Sequence, residues 1–177
     1  SKTAMKIIET QNDNPVISKT GHSLIKTKLK EINSPLAGEM SGHIFFNDNW
    51  FGFDDGIYSA LRCFQEIRAR EGGLKKFLKN IPKTFVSPEI RINCSDEIKF
   101  KVVEKVKISS IRDFKKSDLL TIDGIRVNSQ NGWWLLRASN TQAALIARAE
   151  GYSKKDLENL LEEISIYLNK AGISWKP

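Results

Sequence analysis

A carboxylate, a hydroxyl and an imidazole alternate along one short segment of the sequence. The segment from Pro35 to His43 reads Pro-Leu-Ala-Gly-Glu-Met-Ser-Gly-His, and Glu39, Ser41 and His43 occupy every second position. In an extended chain these three side chains lie on one side, and the two glycines let the backbone approach a ligand closely. Because a carboxylate accepts hydrogen bonds and a hydroxyl donates or accepts them, the segment suits a polyhydroxy ligand. A tight turn with a capping glutamate and a surface histidine is an equally open interpretation.

A second polar segment, Arg137-Ala138-Ser139-Asn140-Thr141, combines a guanidinium, two hydroxyls and an amide. The flanking residues 133–138 and 144–150 are predicted strands, so the segment is expected to connect them. Backbone N–H groups in such a turn, with a guanidinium that can fork onto two oxygens, would bind a phosphate group. Spacing alone favours the simpler alternative, a polar hairpin loop whose Ser, Asn and Thr side chains close the turn.

Other candidate residues carry weaker signals. His22 lies at a predicted helix start, where backbone donors attract anions, but a lone histidine there is more often structural. Trp133 and Trp134 are predicted to be core residues rather than a stacking platform for bases. Asp48, Asp54 and Asp55 could suggest a metal site, but Asp54 and Asp55 are adjacent and would diverge on a strand, so helix capping explains them better. We therefore expect no metal site in this chain.

Composition narrows the possible classes of protein. Lysine and arginine total 28 against 21 acidic residues, which gives a net charge of +7. The lysines are spread along the chain rather than concentrated among aromatics, so a solvated basic surface is favoured and a basic nucleic-acid-binding module is the alternative. The two cysteines, Cys63 and Cys94, do not suffice for a disulfide framework and suit a reducing cytoplasm. The sequence has no apolar run of about 20 residues and no signal segment, so we expect a cytoplasmic protein with no membrane partner.

The first part of the chain alternates short strand and helix patterns, which favours α/β packing. Residues 15–18 and 34–39 are predicted strands, and residues 22–31 are predicted to form a helix with Leu24, Ile25 and Leu29 facing inward. Asp54 or Asp55 is predicted to cap a further helix that ends near Gly72 and Gly73. Residues 1–10 resemble a helix with no strand before it, which suggests a clipped α/β domain. We assign residues 1–73 to this domain and residues 74–88 to a linker.

Residues 89–177 form an α+β pattern. The alternation of residues 90–94 predicts a half-buried strand, and Ser95 is predicted to cap a helix that carries Val102, Val103 and Val106. Gly124 is predicted to interrupt the strand pattern with a bulge or turn. The last helix begins at Ser153, presents a leucine- and isoleucine-rich stripe and ends at Gly172.

The segments described above occur in one order along the chain, joined by Trp50-Phe51-Gly52-Phe53-Asp54-Asp55-Gly56 and Asp123-Gly124-Ile125-Arg126-Val127. This ordered set resembles the C-terminal half of the bacterial phosphomannomutase/phosphoglucomutases, of the α-D-phosphohexomutase family, over about residues 13–170. The resemblance implies α/β plus α+β folding: a truncated α/β third domain, followed by a TATA-binding-protein-like α+β C-terminal domain. It also implies an isomerase reaction that interconverts hexose 1- and 6-phosphates through a bisphosphorylated sugar.

The resemblance also implies roles for particular residues. Glu39 and Ser41 inherit the binding of sugar hydroxyls, and His22 and His43 match histidines of the family's cleft, where His43 would assist proton transfer. Arg137, Ser139, Asn140 and Thr141 inherit the binding of the phosphate that is not transferred. Gln142 and Ala143 stand where relatives often have threonine and proline, which could loosen this turn.

The family's phosphoserine loop and its aspartate-rich magnesium loop do not occur in these 177 residues. The chain alone is therefore expected to be inactive, because phosphoryl transfer needs a nucleophile and a metal. Magnesium and a hexose bisphosphate activator are expected only for the full enzyme. The expected partners are a hexose phosphate and the N-terminal half of the mutase, and nucleic acid is not expected. A non-catalytic sugar-phosphate sensor would use the same residues and is a further alternative.

Overall fold

The computed structural model describes residues 2–177, which divide into a front unit, Lys2–Pro82, and a back unit, Lys83–Pro177. The division falls inside the range 74–88 for which a linker is predicted. The front unit contains four helices and two strands: α1 (Lys2–Glu9), α2 (His22–Glu31), β1 (Leu36–Gly38), β2 (Ile44–Phe46), α3 (Gly56–Ala69) and α4 (Gly73–Lys79).

The front unit is built around a small antiparallel hairpin. Strands β1 and β2 pair from Leu36 opposite Phe46 to Gly38 opposite Ile44. Ile25 and Leu29 of α2 are buried against Phe45 of β2, because side chains four residues apart lie on the same face of a helix. The prediction for Leu24 is wrong, since this residue is 47% exposed.

The predicted strand at 15–18 is also wrong. These residues have no regular secondary structure, and Val16 is 52% exposed. A strand requires hydrogen bonds to a neighbouring strand, and Pro15 has no N–H group to contribute to such a ladder.

Helix α3 begins where its cap was predicted. The Oδ1 atom of Asp55 accepts a hydrogen bond of 2.9 Å from the backbone N–H of Tyr58, which satisfies one of the free donors of the first turn. The helix ends at Ala69, three residues before Gly72. Its apolar residues Ile57, Leu61 and Phe64 are 79%, 58% and 66% exposed. We call these three residues the α3 apolar face.

The back unit is an antiparallel sheet with two helices. Its elements in chain order are β3 (Phe85–Val86), β4 (Ile90–Asn93), α5 (Lys99–Asp113), a short 3-10 turn (Lys116–Asp118), β5 (Leu119–Leu120), β6 (Ile125–Ser129), β7 (Gly132–Ala138), β8 (Ala144–Gly151) and α6 (Lys154–Lys170). The strand order is β3-β8-β7-β6-β5, and β4 also pairs with β8. Strand β3 lies within the predicted linker, so that segment is partly built into the sheet.

The core of the back unit lies between its sheet and its two helices. Trp134, Leu136, Leu145 and Leu168 have no exposed surface, and all four belong to one apolar cluster. Trp133 is also buried, which confirms the prediction that both tryptophans are core residues. In the part of the chain that the structure describes, none of the helices combines the length and the hydropathy that crossing a membrane requires.

The two predicted serine caps have different outcomes. Ser153 caps α6 as predicted, because its hydroxyl accepts a hydrogen bond of 3.1 Å from the backbone N–H of Asp156. Ser95 does not cap α5 with its side chain. Its backbone carbonyl instead accepts hydrogen bonds from the N–H groups of Ile98 and Lys99. The helix is thus started by a backbone turn.

Candidate functional site

Residues 39–42 form the turn between β1 and β2, so the extended conformation considered for this segment is wrong. The N–H of Glu39 donates to the carbonyl of His43 at 2.9 Å, and the N–H of Gly42 donates to the carbonyl of Glu39 at 3.1 Å. Gly42 has a φ of +93°, a value that favours glycine at a chain reversal. The turn still groups the predicted side chains, because the Ser41 hydroxyl donates to Glu39 Oε2 at 3.1 Å.

The Glu39 carboxylate is fixed from two directions. Besides the Ser41 hydroxyl on Oε2, the backbone N–H of Gly21 donates to Oε1 at 3.0 Å. Gly21 directly precedes α2, so this hydrogen bond connects the hairpin turn to the start of the helix. Each carboxylate oxygen can accept about two hydrogen bonds, so Glu39 retains the capacity to accept more from a ligand.

His22 and His43 lie next to each other beside this carboxylate. His22 is the first residue of α2 and His43 directly precedes β2, and their ring centroids are 4.3 Å apart at an interplanar angle of 70°. One possible ligand atom from each of His22, Glu39 and His43 lies within 4.8 Å of the other two. The His22 and His43 side chains are 46% and 43% exposed, so a solute can reach both.

Asp54 is a member of this group that the sequence reasoning missed. Its Oδ2 atom lies 2.6 Å from His43 Nδ1, and its Oδ1 atom accepts a hydrogen bond of 3.3 Å from the N–H of Ile44. The hydrogen bond with His43 lowers the pKa of the Asp54 carboxyl below its ordinary value. Because the ionised Asp54 carboxylate can only accept a hydrogen bond, Nδ1 of His43 is the donor in this contact, and Nε2 is not engaged by Asp54. The sequence holds one clue, since only one of the adjacent Asp54 and Asp55 is needed as a cap.

The second predicted site is the loop between β7 and β8 in the back unit. Ser139 is buried, and its hydroxyl accepts hydrogen bonds from the N–H groups of Thr141 at 3.4 Å and Gln142 at 3.1 Å. This hydroxyl closes the turn, as the simpler interpretation of the segment states, and it retains its own proton for donation. Asn140 and Thr141 are exposed.

Arg137 is the cation of this loop. It lies on β7 opposite Ile146 of β8, and its side chain is half-buried. Over residues 2–177, no hydrogen bond or ion pair to a described residue engages its guanidinium. The five N–H donors of Arg137 are therefore available to an anion.

Gln142, whose substitution is expected to loosen the turn, is contacted by two cations. The buried Lys99 ammonium donates to the backbone carbonyl of Gln142 at 3.0 Å and pairs with Asp96 at 2.5 Å. Arg91 donates to the side-chain oxygen of Gln142. Two cations from β4 and α5 thus hold the loop from outside, and the sequence reasoning did not identify either.

Magnesium is expected for the family, and the donors of this chain do not fit it. Among the described residues, the group of ligand atoms close enough to hold an ion is that of His22, Glu39 and His43. Mg²⁺ prefers carboxylate, carbonyl and water oxygens, whereas two of these three donors are imidazole nitrogens.

Comparison with known proteins agrees with this architecture. Residues 1–85 match the family description "Phosphoglucomutase/phosphomannomutase, alpha/beta/alpha domain III", and residues 89–166 match the C-terminal domain of the same family. A crystal structure of a Burkholderia thailandensis phosphoglucomutase/phosphomannomutase family protein superposes with a TM-score of 0.83 at 36% identity. The match covers 96% of this chain and 35% of that one.

Curated relatives extend the similarity. The Pseudomonas putida phosphomannomutase/phosphoglucomutase is 43% identical over 154 residues, which are 87% of this chain and 33% of that protein. The Neisseria gonorrhoeae phosphoglucomutase is 35% identical over 86% of this chain and 33% of its own length. The Methanocaldococcus jannaschii phosphomannomutase is 31% identical over 98% of this chain and 37% of its own length.

The fold and the two matched regions define a pair of domains from a sugar-phosphate mutase. The chain belongs to the phosphoglucomutase/phosphomannomutase family, whose members are isomerases. It spans about a third of the length of the curated relatives that it matches.

Proposed function

We propose that this chain supplies the sugar-binding and phosphate-binding parts of a phosphohexomutase. Glu39, Ser41, His22 and His43 bind the hydroxyls of a hexose phosphate. Arg137, Ser139, Asn140 and Thr141 bind the phosphate group that is not transferred. The observation that carries the proposal is the arrangement of Glu39, whose two oxygens are already oriented by Gly21 and Ser41 and can accept further hydrogen bonds.

The sugar-binding role follows from preorganisation. A carboxylate that is free to rotate loses conformational freedom when it binds a ligand, whereas Glu39 is held before any ligand arrives. The neighbouring histidines add donors or acceptors for further hydroxyls. His43 is suited to proton transfer, because the bond of its Nδ1 to Asp54 leaves Nε2 as the nitrogen that exchanges a proton with a hydroxyl.

The phosphate-binding role rests on Arg137. An arginine that no described residue engages can donate two parallel hydrogen bonds to a phosphate. The backbone of the loop that follows it is held by the hydroxyl of Ser139 and by Lys99, and the exposed side chains of Asn140 and Thr141 add donors beside it. The two cations that contact Gln142 are each paired with a carboxylate, Lys99 with Asp96 and Arg91 with Glu89, so the attraction for an anion comes from Arg137.

Turnover is proposed to require the rest of the mutase. The groups described here bind and orient a ligand, and His43 moves a proton, but the nucleophile and the metal loop of the family are not in this sequence. The α3 apolar face is 58–79% exposed, which supports a partner segment that buries it. The N-terminal part of the enzyme is the partner that we propose, and its addition is expected to produce interconversion of mannose 1- and 6-phosphate.

A titration with three ligands tests the binding roles. Mannose 6-phosphate, mannose and inorganic phosphate are added separately to the isotope-labelled chain, and amide chemical shifts give each affinity. Glu39→Gln should weaken the binding of mannose 6-phosphate and leave inorganic phosphate unaffected, because phosphate carries no sugar hydroxyl. Equal losses for both ligands would show that Glu39 does not bind hydroxyls.

A further inference from the structure

The cluster of His22, Glu39 and His43 has a composition that sugar binding does not require. These are the two histidines of the whole chain, and they come together from the start of α2 and the start of β2. With Glu39 they place three ligand atoms within 4.8 Å of one another. A sugar hydroxyl can be bound by any polar group, whereas two imidazoles beside a carboxylate are a set of metal ligands.

The donor types select a class of metal. Imidazole nitrogen suits zinc, copper and nickel, and two histidines with one glutamate form the ligand set of a zinc site that keeps one position open. Bonds of about 2.0–2.1 Å at tetrahedral angles place ligand atoms about 3.3–3.5 Å apart. The ligand atoms of the cluster are up to 4.8 Å apart, which is wider than the spacing around a bound zinc ion. Because both histidine side chains are more than 40% exposed, they are free to rotate and bring these atoms closer together.

Two of the three ligands of the cluster, His43 and Glu39, already have an outer support. Asp54 Oδ2 lies 2.6 Å from His43 Nδ1, which orients the ring and leaves Nε2 as the nitrogen with a free electron pair. A carboxylate behind a histidine is the common outer contact of zinc ligands, because it fixes the tautomer and increases the basicity of the ring. Glu39 is held by Gly21 and Ser41. Asp54 Oδ2 lies 3.8 Å from His22 Nε2, which is too far for a hydrogen bond but keeps a negative charge beside that ring.

We propose that His22, Glu39 and His43 bind a late first-row divalent metal ion, with Zn²⁺ as the representative, and that Asp54 positions His43 for it. The bound ion occupies the electron pairs of Glu39 and of both imidazoles. If the same side chains bind sugar hydroxyls, which rests on the proposed function, the metal and the hexose phosphate exclude each other. The ion then acts as an inhibitor at the sugar-binding site.

Direct binding of zinc chloride tests the metal site without any sugar. Isothermal titration should give one ion per chain, and imidazole NMR signals from the two histidines should shift together. We expect His43→Gln and Glu39→Gln to weaken zinc binding at least tenfold. Asp54→Asn should weaken zinc binding by about 10- to 100-fold, although this substitution removes no metal ligand. Magnesium chloride should not shift either imidazole.

The matched control is Cys63→Ser, because the thiol of Cys63 is exposed and is itself a soft metal ligand outside the cluster. This variant should keep the zinc affinity of the parent chain. The site is refuted if zinc binding is lost in Cys63→Ser, or if it is unchanged in His43→Gln. Zinc affinity is measured for both Glu39→Gln and His43→Gln, so that a folding defect in one variant does not decide the result. Circular dichroism shows whether each variant is folded.

A second titration separates this inference from the proposed function. Mannose 6-phosphate is titrated with and without one equivalent of zinc, and its apparent affinity should fall when zinc is present. Zinc binding with no affinity for the sugar phosphate would support the metal site and refute the proposed function. Sugar-phosphate binding that zinc leaves unchanged would refute the exclusion.

Discussion

Gly124 lies between β5 and β6 and close to Arg137 of β7, and its replacement by alanine offers a sharp test of the structure. Gly124 has a φ of +73°, and a Cβ atom built there would lie 2.2 Å from the carbonyl oxygen of Leu136 and 2.8 Å from Arg137 Cα. The neighbouring atoms are backbone, so β7 itself would have to move. Gly124→Ala therefore adds a steric cost to a conformational one.

The two costs can be separated within the back unit. Left-handed backbone costs a residue with a side chain about 1–2 kcal/mol, and overpacking costs about 1–3 kcal/mol. We therefore expect Gly124→Ala to lower the free energy of unfolding by about 2–5 kcal/mol. Gly172 has a φ of +94°, but a Cβ atom there meets nothing within 4 Å. Gly172→Ala should lower it by only about 1–2 kcal/mol, since only the conformational cost remains.

Urea unfolding of the parent chain and both variants, followed by circular dichroism, measures this difference. In a domain of this size each kcal/mol corresponds to about 4–8 °C in melting temperature, so thermal melts also resolve the two variants. Because the displaced backbone carries Arg137, Gly124→Ala should also weaken the binding of inorganic phosphate, whereas Gly172→Ala should not. Equal losses of stability in the two variants would refute the close approach of Gly124 to β7.

Three other predictions test Arg137, a half-buried glutamate and the basic surface. Arg137→Ala should weaken the binding of inorganic phosphate by about 1.5–3 kcal/mol, or about 10- to 150-fold, because a charge-assisted hydrogen bond is lost. Lys101→Ala removes the same charge from the exposed side of α5 and should leave phosphate binding unchanged. Equal effects of the two variants would show that phosphate is attracted by charge alone and not bound by Arg137. Burial raises the pKa of Glu163 despite the 2.8 Å hydrogen bond from Trp134, so the folded state binds its proton more tightly than the unfolded state does. The free energy of unfolding should then fall as pH rises from the ordinary glutamate pKa through the raised pKa of Glu163. Urea unfolding of Glu163→Gln over the same pH range should not show this fall. Identical pH profiles for the parent chain and the variant would contradict the raised pKa. Filter binding to DNA and RNA should be weak, because the net charge of +7 is spread out, and tight, steeply salt-dependent binding would favour a nucleic-acid partner instead.

Elements with a strong local pattern could be predicted from the sequence. The leucine and isoleucine stripe with Ser153 at its start predicts α6, and the structure gives Lys154–Lys170. Strands β7 and β8 lie at Gly132–Ala138 and Ala144–Gly151, close to their predicted ranges. Periodicity predicts α6 because one face of this helix is buried, and burial leaves a regular spacing of apolar residues. Strands β7 and β8 are buried along nearly their whole length, so short apolar runs predict them instead.

Elements that depend on a partner elsewhere in the chain could not be predicted in this way. Phe85 and Val86 form β3 only because Glu150 and Gly151 pair with them. The residues at 15–18 have strand-like composition but no strand beside them. Leu24 has the same side-chain chemistry as Leu29, and only the position of Phe45 decides which of the two is buried.

The candidate site shows the same division. The order of the motifs in the sequence suggested Glu39, Ser41, His22, His43 and the loop after Arg137 through a family resemblance, and the family itself is confirmed by the matched domains. The sequence did not indicate that Asp54 orients His43, that Gly21 fixes Glu39, or that Lys99 holds the loop at Gln142. Each of these contacts joins residues 11 to 43 positions apart. A hydrogen bond over such a separation leaves no spacing in the sequence, because its geometry exists only after the hairpin and the sheet have folded.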